Sequence, residues 1–163
     1  ETQTAGMYDI RSWADLVTSH SVSGPDIVDG IASAWDSVQR VGGVLLLAQM
    51  SSRGNLLDAS YTDRTMEIGT SSPHVIGYIG NGSNPNEVSE LREKAGDGKM
   101  IWTPGVNLSD NEGALGQRYG HPSDAIKAGS DAVIVGSGIH GAPDPVASAR
   151  AYADATWAAL LSR

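Results

Sequence analysis

The 163-residue chain carries 19 acidic and 11 basic residues, a formal net charge of −8 and an apolar fraction of 40%. This length fits one domain with a real core, and the negative charge argues against nucleic acid or an anionic membrane as the main partner. The absence of cysteine excludes a disulfide framework and thiolate chemistry, and it fits a cytoplasmic location.

Targeting and metal-binding signals are also missing from the sequence. No apolar run approaches the roughly 20 residues of a membrane span, and the first residues have neither a charged region nor an apolar one typical of a signal peptide. The four histidines, His20, His74, His121 and His140, lack metal-ligand spacing. We interpret them as structural or solvated and predict no metal site, although His140 follows a candidate binding loop described below.

Five short apolar runs are the predicted strands. Near-continuous apolarity over about four to eight residues indicates strands buried on both faces, as in a parallel sheet. The runs cover residues 14–17, 44–50, 75–79, 100–106 and 132–135, the fourth being more mixed than the others.

Four helices are predicted between and after these strands. They cover residues 27–41, stopped by two glycines, then 60–69, 122–128 and 145–161, the last with Asp144 as N-cap. Residues 80–85 are predicted as a mobile polar loop, followed by one or two helical turns at 88–94. The apolar face of the last helix is predicted to comprise Val146, Ala149, Tyr152, Ala153, Thr156, Trp157, Leu160 and Leu161.

This alternation of strands and helices predicts right-handed βαβ units and a parallel sheet in an α/β protein. We find no linker and expect one domain. The pattern alone leaves two architectures open. One is a flavodoxin-like doubly wound domain, and the other is the last five strands of a (β/α)8 barrel, a fold that typically needs about 250 residues.

Four motifs narrow the choice. They are residues 12–17 followed by His20, residues 46–56, residues 103–106 with 115–119, and residues 129–139 followed by 142–145. Their order and spacing resemble the eukaryotic orotidine-5′-monophosphate decarboxylases along almost the whole chain. The resemblance implies the C-terminal portion of a (β/α)8 TIM barrel, with strands 4 to 8 of that barrel and its N-terminal strands absent, forming one partial domain over residues 1–163.

The resemblance also implies an activity and partners. It implies conversion of orotidylate to UMP and CO2, the last step of pyrimidine biosynthesis, without a cofactor and in a homodimer with active sites at the interface. Five strands of a barrel would leave two open sheet edges. We therefore expect those edges to be covered by another chain, a dimer partner or a preceding N-terminal segment, and we expect no nucleic-acid or membrane partner.

Seven residues match substrate-binding positions of the family. The resemblance implies that Gln117 and Tyr119 donate to the phosphate and that Ser51 hydrogen-bonds the pyrimidine. It also implies that Pro104 lines the base pocket and that Gly136, Ser137 and Gly138 form the phosphate loop. Taken by itself, the Gly-Ser-Gly sequence is a turn after a strand. Its glycines would nevertheless let backbone N–H groups approach an anion.

The chain departs from the family pattern in three respects. Ser137 stands where the family usually has Arg, and Gln49 stands where it usually has Glu. The family's catalytic Asp and Lys array lies upstream of the first residue, and none of Lys94, Lys99 and Lys127 is predicted at a strand end. We therefore predict no catalytic residue in this chain and expect the chain alone to be inactive.

Two other functions remain open from the sequence. The first is a degenerate, non-catalytic relative that serves as a nucleotide-phosphate binding or assembly module. The absent strands and Ser137 favour it if this is the whole natural chain, whereas the intact Gln117, Tyr119 and Ser51 favour the decarboxylase. The second is another phosphate-binding barrel enzyme, such as a sugar-phosphate epimerase, which the motif at residues 116–119 disfavours.

Overall fold

The strands form one sheet. The computed structural model describes residues 6–109 and 116–163. Its five strands follow one another in chain order across the sheet, and they are β1 Leu16–Ser19, β2 Gly43–Leu47, β3 Val75–Ile79, β4 Met100–Thr103 and β5 Ala132–Val133. Leu16 lies opposite Gly43 and Trp102 opposite Ala132 in parallel register. The predicted parallel sheet is confirmed.

Helices follow the strands as the alternation predicts. A 3-10 turn, Ile10–Ser12, precedes β1, and the helices are α1 Asp26–Asp36, α2 Ala59–Ser71, α3 Pro85–Ala95, α4 Pro122–Lys127, α5 Ser137–His140 and α6 Pro145–Leu161. Asp144 caps α6 by accepting from the Ala147 N–H at 2.9 Å. Within the described ranges, no helix is long and apolar enough to cross a membrane.

The chain divides into two compact units. The first comprises Glu1–Ala48 and Leu57–Tyr78, and the second comprises Gln49–Leu56 and Ile79–Arg163. In the first unit the indole of Trp35 is 2% exposed, and its Nε1 donates to the Ala14 carbonyl at 2.9 Å. The expectation of one domain stays a prediction.

In the second unit, an ion-pair cluster lies at the amino ends of β4 and β5. The Asp131 carboxylate accepts from the Arg92 guanidinium and, at 2.8 Å, from the Ile101 N–H. Arg92 also donates to the carbonyls of Gly129 and Lys99 at 3.0 and 2.8 Å. Because the Arg92 guanidinium donates to groups within the fold, we assign this ion-pair cluster a structural role.

Several predicted boundaries are wrong. The first strand begins at Leu16 rather than residue 14 because the turn before it extends through Ala14, whose N–H donates to Ile10. The first helix ends at Asp36 rather than residue 41, since Gln39 adopts a left-handed φ of 55°. Strands β2, β4 and β5 end earlier than predicted, at residues 47, 103 and 133, whereas β3 has the predicted bounds. The predicted polar loop contains Asn81, which is fully buried.

The predicted apolar face of α6 is only partly buried. Tyr152 is 4% exposed, but Val146 and Trp157 are each 62% exposed and Leu161 is 73% exposed. The helix packs on α4 and α5. Its residues Trp157 and Leu160 line a groove of about 710 Å³ that Val133 also lines. Strand β5 is the last strand of the sheet. The groove therefore lies at a sheet edge that we expected another chain, a dimer partner or an N-terminal segment to cover. The identity of that cover stays a prediction.

Candidate phosphate and base site

A small cleft in the second unit brings the seven predicted site residues together. The cleft has a volume of about 230 Å³, and its lining includes Ser51, Pro104, Gln117, Tyr119, Gly136, Ser137 and Gly138. Ser51 follows β2, Pro104 follows β4, and the glycine loop follows β5. These positions lie beyond the carboxyl ends of parallel strands, where barrel enzymes carry their active sites. The ligand roles of these residues stay predictions.

Ser51 and Gln117 are hydrogen-bonded to each other. The Gln117 Nε2 donates to the Ser51 Oγ at 2.6 Å and to the Arg118 carbonyl at 2.8 Å. The Arg118 Nε in turn donates to the Ser51 carbonyl at 3.0 Å. An amide nitrogen has two hydrogens, and both are in use here. Gln117 must therefore exchange one of these bonds before it can donate to a phosphate.

The glycine loop is held in place by α6. The Ser148 Oγ donates to the Gly138 carbonyl at 2.7 Å. A Cβ at Gly138 would collide with the Tyr152 hydroxyl, which also accepts from the Leu108 N–H at 3.2 Å and donates to the Asn107 Oδ1 at 3.3 Å. Glycine is thus required at 138 by packing. Sequence reasoning missed the two positioning side chains, although their four-residue spacing places them on one helix face.

Gln49 has a structural explanation. Its Oε1 accepts from the Asn81 N–H at 3.0 Å, and its Nε2 donates to the Glu87 carbonyl at 2.9 Å. The Asn81 Nδ2 then donates to the Glu87 carboxylate at 2.9 Å. An ionised glutamate at position 49 would bring an acceptor against the Glu87 carbonyl. Glutamine therefore suits this network better than the residue usual in the family.

Two glycines bring the loops around the cleft into close contact. Gly105 has a φ of +76°, and a Cβ there would lie 2.5 Å from the Ser51 Cβ. A Cβ at Gly120 would lie 2.5 Å from the Gly82 carbonyl oxygen. The Gly120 N–H donates to Gly105 at 3.0 Å. The segment that carries Gln117 is thereby packed tightly against its neighbours.

Alanine substitution of Gly120 should therefore destabilise the protein. We expect Gly120→Ala to lower the free energy of unfolding by about 1–3 kcal/mol, because backbone must shift to relieve the overlap. Gly30→Ala is the matched control, since Gly30 lies inside α1 with nothing near its added methyl group, and it should stabilise by up to about 1 kcal/mol. Urea unfolding measures both. Equal changes in the free energy of unfolding for the two variants would contradict the close packing around Gly120.

The described lysines lie away from the cleft. Lys99 directly precedes β4 at its amino end, and burial lowers the pKa of Lys99 from its ordinary value. Lys127 ends α4, and Lys94 lies in the last turn of α3. In residues 6–109 and 116–163, no cluster of three His, Cys, Asp or Glu could hold a metal ion. Among the described residues, no ammonium group therefore lines the cleft.

Comparison with known proteins identifies the family. A sequence model described as the orotidine 5′-phosphate decarboxylase / HUMPS family matches residues 1–152. The chain belongs to this family. It is 38% identical over 162 residues to an orotidine 5′-phosphate decarboxylase of Pichia kudriavzevii, covering 98% of this chain and 60% of that protein. It is 40% identical over 167 residues to that of Saccharomycopsis fibuligera, with the same coverage.

A solved structure supports the fold. The crystal structure of orotidine 5′-phosphate decarboxylase from Pyrococcus horikoshii OT3 matches with a TM-score of 0.67 and 30% sequence identity, covering 92% of this chain and 64% of that one. The fold is therefore part of a (β/α)8 barrel, as predicted, and the doubly wound alternative is wrong. The chain spans about 60% of the length of the curated relatives it matches.

Proposed function

We propose that the protein decarboxylates orotidylate to UMP and that this chain supplies the surface that binds the phosphate and the pyrimidine. The observation that carries the proposal is the cleft itself. It gathers Ser51, Gln117 and Tyr119 with the 136–138 loop, although these residues come from three separate parts of the sequence. Membership of the orotidine 5′-phosphate decarboxylase family supports the same activity.

Among the described residues, the cleft lining has no charged side chain, so the proposal assigns nucleotide binding to the cleft and the chemistry of decarboxylation to other groups. Loss of CO2 leaves a carbanion-like centre that needs a nearby proton donor and positive charge. The described residues that line the cleft are apolar or neutral. We therefore propose that the family's Asp and Lys array, supplied by sequence upstream of this chain, completes the active site. A homodimer and a cytoplasmic location remain part of the proposal.

Phosphate-dependent binding of UMP tests the proposal. We expect the chain to bind UMP measurably more tightly than uridine, and Tyr119→Phe to weaken UMP binding about tenfold, because one hydrogen bond to a charged group is lost. Tyr8→Phe is the matched control, since Tyr8 is 76% exposed and lies outside the cleft. Titration calorimetry measures all three proteins.

Equal affinity for UMP and uridine would overturn the proposed phosphate site. An unchanged UMP affinity in Tyr119→Phe would show that Tyr119 does not bind the phosphate, while the other proposed site residues would stand.

The non-catalytic and epimerase alternatives are not favoured, because the relatives matched over 98% of the chain are orotidine 5′-phosphate decarboxylases.

A further inference from the structure

The cleft presents a charge problem for its proposed ligand. A phosphate monoester carries close to two negative charges at neutral pH. The cleft lining, taken over the described residues, has no charged side chain, and its polar groups come from Ser51, Gln117, Tyr119 and Ser137. Placing a dianion among neutral groups loses hydration that neutral hydrogen bonds replace only in part. A nearby cation would offset that cost.

The geometry points to His140. The one-turn helix α5 begins at Ser137 and folds back, so that the His140 N–H donates to the Gly136 carbonyl at 3.2 Å. The imidazole Nε2 then lies 3.7 Å from the position that a Cβ of Gly136 would occupy. Gly136 itself lines the cleft. His140 therefore places an imidazole against Gly136 of the glycine loop, whereas the Tyr152 hydroxyl meets Gly138.

In the part of the chain that the structure describes, no other side chain holds the imidazole of His140. The charged and titratable groups of α6, the helix packed against α5, are Arg150, Tyr152 and Asp154, with Asp144 at its N-cap. Asp144 accepts from the Ala147 N–H, and the Tyr152 hydroxyl donates to Asn107. Within the described ranges, the His140 side chain makes no hydrogen bond or ion pair.

We infer that His140 binds the phosphate in its protonated form and makes the cleft a dianion site whose affinity rises as pH falls. The inference deepens the proposed function and rests on its phosphate site. It revises the interpretation of His140 as a structural or solvated residue. Histidine is the side chain whose ordinary change of charge lies between pH 5 and 8. In its protonated form His140 adds a cationic donor to the neutral side chains that, among the described residues, line the cleft.

Sulfate binding as a function of pH tests the inference. Sulfate keeps its double charge over this range, whereas the second ionisation of a phosphate ester falls near pH 6 and would confuse the result. We expect the affinity of the chain for sulfate to rise about three- to tenfold from pH 8 to pH 5.5, a modest factor because His140 is exposed. Titration calorimetry provides the affinities.

Three variants separate the outcomes. His140→Gln should lose the pH dependence, and His140→Arg should bind sulfate tightly at both pH values. His74→Gln, a histidine outside the cleft lining, should behave as the unsubstituted chain does. If His140→Gln keeps the pH dependence, or if His140→Arg gains nothing at pH 8, the inference is overturned while the phosphate site stands. If neither sulfate nor UMP binds at either pH, the proposed site itself fails.

Discussion

The 163-residue chain is expected to release no CO2 from orotidylate at a rate near that of a completed enzyme. The described cleft offers binding groups but no ammonium or carboxylate pair to stabilise the transition state. Each missing group of this kind typically costs about 100- to 1000-fold in rate, and groups that act as a unit do not add simply. We therefore expect a deficit of at least roughly 10,000-fold.

A fusion supplies the comparison for this experiment. The part of the Pichia kudriavzevii relative that precedes the matched region would be joined to the first residue of this chain. Orotidylate absorbance would then be followed for the chain, the fusion, and the fusion carrying Tyr119→Phe. We expect turnover in the fusion and reduced turnover in its variant. Rapid turnover by the chain alone would contradict the assignment of the catalytic array to the upstream sequence.

Ser137→Arg is expected to strengthen UMP binding by the fusion about 10- to 150-fold. Ser137 lines the cleft next to both loop glycines, and an arginine there could form a bidentate, charge-assisted contact with phosphate. Such contacts contribute about 1.5–3 kcal/mol, and each 1.4 kcal/mol is tenfold in affinity. Binding energy at this remote group would also help to hold the reacting ring in place.

A second serine controls for charge alone. Ser23 is exposed, precedes α1 and lies outside the cleft lining, so Ser23→Arg adds the same charge elsewhere. We expect its UMP affinity to match that of the unsubstituted fusion. If Ser137→Arg and Ser23→Arg give the same UMP affinity, the 136–138 loop does not bind the phosphate, and a non-catalytic role becomes the better explanation.

Two elements, the strand at 75–79 and the helix at 145–161, were predicted with their observed bounds. The helix predicted at 145–161 matches α6 at both ends, because Asp144 and Pro145 specify its start locally. The end of α1 was missed because Gln39 takes a left-handed conformation that favours glycine or asparagine. The exposed face of α6 was missed because periodicity marks an apolar face without indicating what covers it.

The candidate site was predictable only through the motifs. Ser51 and Gln117 are 66 residues apart, and spacing gives no indication that they are in contact. The network of Gln49, Asn81 and Glu87 likewise depends on side chains brought together by the sheet. Polar contacts between distant residues have no periodic signal, so their partners became visible only in three dimensions.

If Gln117 binds the phosphate and Ser51 the pyrimidine, as proposed, their hydrogen bond would make the two halves of a nucleotide interdependent. A phosphate that draws the Gln117 amide to itself releases a lone pair of the Ser51 hydroxyl, and that oxygen can then turn to the pyrimidine. By linkage, each half of the ligand prepares the site for the other. A whole nucleotide would then bind more tightly than its separate uridine and phosphate fragments suggest, which favours intact nucleotides over the abundant free phosphate of a cell.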